Sequence, residues 1–448
     1  MKHCAFPAGV DRDLLIAWYR EARGRTAALF EIPKNEVYYE RPIALRNPIA
    51  FYEGHLPAFA INTLIRLGLR QRGISESYET LFARGIDPED EASAKSPTDL
   101  WPARRDVQDY GRCADERIIA ALAGERIEDD SIPALRGGEA VFTVLEHELM
   151  HQETLLYMLH NLPLEAKIAR APLQQAGERS RTATKNELIA IPRGLATLGN
   201  DRSTGEFGWD NEFPSFRIDV PAFSIERHNV TNAAFLEFVE SGAYRDRQLW
   251  SAEGWKWIED ARVEHPHFWT RSGGAWRWRG MFDEIPLPLD WPVYVTHAEA
   301  DAYARWRGQR LPSEAEWHRA AYGTPGGGER AYPWGDEPPD ATRGHFDFAS
   351  GDPVPVGARP GGASAWGVHD LLGNGWEWTW TPFDGFPGFT PMASYPEYSA
   401  DFFDAKHRVI KGGSPATARE LLRRSFRNWF RPTYPWVWAA FRCVTPIA

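Results

Sequence analysis

Cysteine is scarce. Cys4, Cys113 and Cys443 are the only three in 448 residues, far apart and never in a CxxC pair. This excludes a disulfide framework and a thiolate zinc site, and points to a reducing cytoplasm. Long hydrophobic runs are also missing. No stretch of roughly 18 apolar residues is present to span a bilayer, and the chain reaches Asp11, Arg12 and Asp13 without the apolar core of a secretory signal. A soluble cytoplasmic protein is expected. Nor is there a basic excess. Lys and Arg number 51 against 62 Asp and Glu, a formal net charge of −11, which argues against a nucleic-acid surface. No internal repeat marks a solenoid or propeller.

Aromatics, by contrast, are abundant. There are 20 tryptophans, most of them after residue 200, and such side chains fill cores or wall flat and cationic ligands. The length calls for two or three domains. Residues 1–165 carry four helical patterns. One runs over 11–31 through Leu14, Leu15, Trp18, Ala22 and Leu29, with Asp11 as N-cap. The others run over 48–71 (Ala58, Leu64, Leu67, Leu69), 104–123 (Val107, Tyr110, Ala114, Ile118, Leu122) and 139–160 (Val144, His147, His151, Thr154, Met158). Four such amphipathic helices predict a four-helix bundle, a fold whose core hosts metal ligands. Residues 166–187 turn polar and read as a linker. From 188 to 448 short apolar runs alternate with Gly, Pro, Asn and Asp clusters, predicting one loop-rich α+β domain with short helices near 231–241 and 297–307.

Residues 147–153 read His-Glu-Leu-Met-His-Gln-Glu. Histidines four apart on a helix are turned about 40° from one another and can share one metal. His147-Glu148-x-x-His151 is the zinc-peptidase signature, with Glu148 as the general base. That reading needs a third ligand, and His160, the next histidine downstream on the same helix, faces away. His55, in the second helical pattern, is the alternative third ligand across the bundle. Glu146, Glu148 and Glu153 are candidates to hold the imidazole tautomers. Three neutral imidazoles leave a metal its charge and open positions for dioxygen and a soft anionic donor; zinc fits the same ligands.

The chain resembles the ergothioneine-biosynthesis sulfoxide synthases over nearly its full length. The N-terminal match is Gly54-His55 with His147-x-x-x-His151-Gln152-Glu153. The C-terminal strings include Arg310-Leu311-Pro312-Ser313-Glu314-Ala315-Glu316-Trp317, Asp370-Leu371-Leu372-Gly373-Asn374-Gly375-Trp376-Glu377-Trp378 and Lys411-Gly412-Gly413-Ser414. The resemblance implies a DinB-like four-helix bundle followed by a domain like that of the formylglycine-generating enzyme, a C-type-lectin-like α+β fold. It implies Fe(II), bound by His55, His147 and His151, and O2 as co-substrate. The reaction implied joins a chalcogen donor to imidazole C2 of hercynine, the betaine of histidine. Asn428 and Trp429 match betaine-contacting positions, and Tyr395 and Tyr398 an active-site tyrosine pair. Trp429 with a tyrosine would cage the trimethylammonium group.

Three positions depart from the branch that uses γ-glutamylcysteine. Trp101 stands at an arginine position, Phe430 at an acidic one, and Met150 at one commonly polar. Neither aromatic can grip the charges of an amino-acid donor. An aromatic wall suits a sugar, and the selenoneine-synthase branch takes a selenosugar, so the reading leans to C–Se bond formation giving a selenoxide. A cysteine-, γ-glutamylcysteine- or ovothiol-type thiol donor is the alternative. Formylglycine generation itself is excluded by the missing cysteine pair. A further expectation is a helix start or kink at Pro57, whose ring removes a backbone bond to Glu53.

Overall fold

The computed structural model describes residues 11–83, 101–169, 173 and 186–447. Cys4 and most of the expected linker lie outside the described residues. The N-terminal region is helical. Its elements are α1 (Arg12–Leu29), α2 (Ile49–Ala60), the short α3 (Glu76–Leu81), α4 (Arg104–Gly124) and α5 (Glu139–His160). Asp11 caps α1 by accepting the Leu14 N–H at 3.1 Å. α1 packs on α4 and α5, and α2 packs on the same two helices. Leu15, Tyr19, Leu64, Ile118, Leu122 and Leu145 fill the space between them.

The second helix differs from expectation at Pro57. It neither starts nor stops there: α geometry begins at Ile49 and passes through Pro57 to Ala60. The departure comes a turn later, where residues Ile61–Gly68 wind as a π-helix. Bonding to i+5 instead of i+4 rotates the side-chain phase. Leu67, expected on the buried stripe, is consequently 46% exposed.

From Leu188 the chain builds short strands and helices joined by long loops. The strands are β1 (Leu188–Ile191), β2 (Gly194–Leu198), β3 (Phe216–Val220), β4 (Phe223–Glu226), β5 (Trp269–Ser272), β6 (Ala275–Arg279) and β7 (Glu284–Pro286). They continue with β8 (Trp376–Pro382), β9 (Arg408–Lys411), β10 (Asn428–Phe430), β11 (Ala439–Ala440) and β12 (Val444–Pro446). β10-β9-β8-β11 form the central sheet and β1-β4-β12 a second one. The predicted short helices are α6 (Asn232–Glu240) and α8 (His297–Trp306). Three more, α7 (Ala252–Ala261), α9 (Glu314–Tyr322) and the single-turn α10 (Glu397–Ala400), were not anticipated. α9 nonetheless announces itself by a capping box, Ser313 with Glu316.

β8 shows how the aromatic-rich text folds. Its side chains alternate, so Trp376 and Trp378 share one face and Glu377 takes the other. Glu377 is fully buried, yet it is paired in a fork with the equally buried Arg442 (2.6 and 2.7 Å) and accepts the Trp317 indole N–H at 2.9 Å. Arg442 spends its other N–H groups on the carbonyls of Glu226, Arg227 and His369. With every polar atom satisfied, the pair is tolerable inside a core; with one partner gone it is not. Arg442→Met should cost about 3–5 kcal/mol of unfolding free energy, read from urea melts. A loss within about 0.5 kcal/mol, the size of an ordinary surface substitution, would show that the pair is unimportant.

Candidate metal centre

α2 and α5 bring the three histidines together. On α2, Phe51, His55 and Phe59 follow at i, i+4 and i+8 and so share a face. Phe51 stacks on the His55 ring (4.9 Å, 18°). The residue before it, Gly54, is required by close approach: a Cβ there would lie 2.5 Å from the Phe82 ring. Phe82 in turn carries the carbonyl that accepts His55 Nδ1–H at 2.9 Å. The Gly-His dipeptide thus lets the Phe82 ring settle on the helix and leaves Nε2 as the only lone pair of His55.

α5 is divided by angle into three working faces, since each residue turns the helix by about 100°. His147 and His151 point to α2. Glu148 and Gln152, about 100° further round, point to α1. Glu148 accepts from Arg23 Nη1 (2.9 Å) and Thr26 Oγ1 (2.5 Å), and Gln152 donates to the Ala22 carbonyl (2.8 Å). The third face meets the C-terminal region through Glu139, Glu146, Glu153 and His160, seven residues apart. Glu146 pairs with Arg423 (2.6 and 2.9 Å). Glu153 accepts from Trp376 Nε1 (2.6 Å), Ser414 Oγ (2.5 Å) and Thr417 Oγ1 (2.8 Å). His160 accepts the Trp438 indole N–H at 3.0 Å.

Two expectations are corrected here. Glu146, Glu148 and Glu153 do not hold the imidazole tautomers; all three are engaged elsewhere. Backbone carbonyls do that work instead, Phe82 for His55 and His147 for His151 Nδ1 (3.1 Å). The peptidase reading also fails, because its general base has to face the metal and Glu148 is committed to Arg23 and Thr26.

The ligand nitrogens of His55, His147 and His151 all lie within 4.8 Å of one another. Burial pushes His55 down to about 4. Burial also holds His147 and His151 well below the ordinary value, helped by the neighbouring histidines. All three are therefore neutral near pH 7, and two are oriented with Nε2 inward. Such a set suits a borderline divalent cation such as Fe(II) or Zn(II), with positions left open. No carboxylate belongs to the cluster among the described residues.

The C-terminal region closes the site with aromatics. Tyr395 lies edge-on to Phe59 (5.2 Å) and to His147 (6.4 Å). Tyr398 is farther from the histidines; its hydroxyl meets Met150 Sδ at 3.4 Å and its ring meets Trp209 and Trp429 (4.0 and 5.4 Å). The short turn carrying both is clamped at each end. Ser394 bonds to Glu139 and Thr143 of α5, and Ser399 to Asp210 and Asn211. Burial and the carboxylates of Asp210, Glu212 and Glu146 push the Tyr398 phenol well up, so it keeps its proton.

Asn428, Trp429 and Phe430 form β10, and alternation separates them. Trp429 stacks on Phe383 (4.0 Å, 9°). Phe430 points the other way, stacked on Tyr434 (5.1 Å) and edge-on to Tyr157 (6.3 Å). Asn428 Oδ1 accepts the Trp429 N–H. Trp101 stacks on Phe82 and meets Phe51 edge-on, behind His55. Trp101 and Phe430 therefore make their ring contacts with different partners.

Three nearby residues were not anticipated: Tyr157, Tyr434 and Arg46. Arg46 donates to Tyr434 (3.0 Å) and Tyr157 (2.7 Å). Tyr157 was readable, since it follows Met150 by seven residues on one helix stripe. Arg46 sits in a loop and carries no periodic signal. A cavity of about 410 Å³ lies elsewhere, against Trp18, Phe142, Glu146, Phe207 and Arg423, and none of the histidines lines it.

Comparison with known proteins agrees with this architecture. The sulfatase-modifying factor enzyme 1-like domain family matches residues 173–447. The chain is similar to the hercynine oxygenase of Mycolicibacterium thermoresistibile, 36% identical over 430 residues, covering 94% of this chain and 92% of the relative. It is 40% identical over 350 residues to the hercynine oxygenase of Mycobacterium tuberculosis, covering 77% and 78% of the two chains. It is also similar to the formylglycine-generating enzyme of the latter organism, 31% identical over 292 residues, 53% of this chain and 89% of that one. Cys443, the one cysteine of the matching region, is fully buried and its thiol is pushed well up by burial.

With depressed imidazoles, protons compete little for the ligand nitrogens. Co(II) affinity, followed by visible absorbance, should stay flat from pH 8 through the ordinary imidazole range and fall only well below it. An ordinary exposed histidine pair would lose affinity from about pH 6.5, and such a profile here would contradict the assigned environment. Gly54→Ala should weaken Co(II) binding about 10- to 100-fold by displacing Phe82 from His55; unchanged affinity would disprove that linkage.

Proposed function

The chain belongs to the hercynine oxygenase family of oxidative enzymes, and from that premise we infer that it forms a carbon–chalcogen bond at imidazole C2 of hercynine in an Fe(II)- and O2-dependent reaction. The observation carrying this reading is the set of three neutral imidazoles under an aromatic wall supplied by the other half of the chain. His55, His147 and His151 would hold the iron, which when bound supplies dioxygen activation and a Lewis-acid site for the donor. The described residues contain no helix long and apolar enough to cross a membrane, and we take the protein to be cytoplasmic. We read residues 1–165 as a DinB-like bundle, 166–187 as a linker and 188–448 as the formylglycine-generating-enzyme-like domain.

The chain's own residues have separable tasks. Trp429, with Tyr398 at its edge, offers aromatic faces to the trimethylammonium group, and Asn428 a polar amide to the betaine. Tyr395, the tyrosine nearer His147, is positioned to donate a proton toward the reacting atoms. Packing by Phe51 and Phe59 keeps water from the imidazoles.

The donor is the finer question. The similarity to hercynine oxygenases supports the ergothioneine-type alternative, a thiol donor with a sulfoxide as product. The apolar side chains of Trp101, Met150 and Phe430 favour a donor without amino-acid charges, the selenosugar of the selenoneine-synthase branch, with a selenoxide as product.

The deciding experiment loads the full chain anaerobically with Fe(II) and hercynine, adds one donor, then O2, and analyses products by mass spectrometry. Donors are 1-seleno-β-D-glucose, cysteine and γ-glutamylcysteine. A C2-substituted hercynine is expected, with the selenosugar best; γ-glutamylcysteine as the sole productive donor would overturn the selenium reading. No adduct with any donor would overturn the reaction itself. His147→Ala should abolish turnover. Tyr395→Phe should lower kcat about 10²- to 10⁴-fold, the range for a lost proton donor, with hercynine KM unchanged.

A further inference from the structure

α5 is buried along its 22 residues except at Glu139, Met150, His151 and Thr154. The last three lie within about 100° of arc, so solvent reaches the middle of the helix through one patch that includes a candidate ligand. Met150 stands on that patch, at the border between the histidine face and the face that meets the C-terminal region. The other methionines of the described residues are closed off: Met158 and Met281 are 0% exposed and Met392 3%. Met150, half-buried, is thus the one thioether within solvent reach among the described residues. Its sulfur is also engaged. Tyr398 donates its O–H to Met150 Sδ at 3.4 Å. The Tyr398 ring meets Trp209 and Trp429, and its phenol keeps the proton it donates.

We propose that Met150 is a sulfoxidation site, and that its sulfoxide captures the Tyr398 hydroxyl and thereby weakens hercynine binding next to it. The oxidant is hydrogen peroxide, the two-electron reduction product of dioxygen. One peroxide oxygen bonds to Sδ as the O–O bond breaks. Sulfur gives up two electrons, and the other oxygen takes the remaining proton and leaves as water. The thioether is a weak acceptor, so it holds the phenol loosely. The sulfoxide turns the same side chain polar and places a strong oxygen acceptor one bond beyond the sulfur. An O–H···O bond is shorter than the present contact, about 2.7–2.8 Å, so the phenol has to move to make it. That movement alters the edge that Tyr398 presents beside Trp429. The sulfoxidation stands on the geometry alone, whereas its effect on the betaine rests on the reaction proposed above.

The test treats the Zn(II)-loaded full chain with hydrogen peroxide and follows its peptides by mass spectrometry. Met150 should gain one oxygen first, with Met158, Met281 and Met392 at least about tenfold slower, because buried side chains react only through transient opening. Oxidation of all four at one rate, or Met150 lagging, overturns the assignment. Capture of Tyr398 is read from infrared difference spectra between protein treated with light-oxygen and with heavy-oxygen peroxide. A donated hydrogen bond weakens the S–O bond, so its stretch should lie lower in the full chain than in Tyr398→Phe; equal frequencies overturn the capture. Calorimetry then compares hercynine affinity before and after treatment, each protein against its own untreated form. Affinity should fall about 2- to 10-fold in the full chain, the scale of one diverted hydrogen bond, and hold steady in Met150→Leu. An unchanged affinity of the oxidised chain, or an equal loss in Met150→Leu, overturns the effect on hercynine. Absence of hercynine binding by the untreated chain overturns the reaction reading and leaves the sulfoxidation site standing.

Discussion

One buried helix, bonded on three sides, organises this protein. α5 carries Glu139, Glu146, Glu153 and His160 at intervals of seven, and that stripe grips the C-terminal region through Ser394, Arg423, Trp376, Ser414, Thr417 and Trp438. A buried carboxylate without partners is costly, so Glu146 and Glu153 each demand their particular donors. Any sliding of the C-terminal region along α5 would strand both at once. The seam is also continuous in its apolar packing, because Leu149, Leu156, Trp209, Trp278 and Trp376 belong to one core.

The histidines depend on that grip although they do not take part in it. Residues 147 and 151 face α2, 148 and 152 face α1, and the heptad stripe faces the other half of the chain. Fixing the stripe fixes the roll of the helix, and with it the direction of both imidazoles. The same contacts bring Tyr395 into place, since Glu139 and Thr143 hold Ser394 next to it. Metal ligands and the aromatic wall thus share a single frame. A site whose parts run from His55 to Tyr395 can be held to a fraction of an ångström only by such a frame.

Much of this was readable from residues alone. The four long helices lie within a few residues of their periodic patterns, because each has a clear apolar stripe and α1 a side-chain cap. His55, His147 and His151 were identifiable as candidates because two sit at i and i+4, and the third lies in the second helical pattern, where the family resemblance also puts a ligand. Misreadings came where a pattern was local and the outcome was not. Leu67 sits on a proper helical stripe until π winding changes the phase. Glu148 completes a peptidase signature until α1 supplies Arg23 and Thr26.

The sequence by itself determined the helices, the α+β character of the second region and the identity of the metal-ligand candidates, since periodicity, capping and spacing are properties of neighbouring residues. Only the tertiary structure decided what those ligands face. It assigned the tautomer anchors to the carbonyls of Phe82 and His147, and committed Glu146 and Glu153 to the seam with the C-terminal region and Glu148 to α1. The physical reason is range. A helix is written within a few residues, whereas the partner of a buried charge is chosen from the whole chain according to which group can satisfy it there.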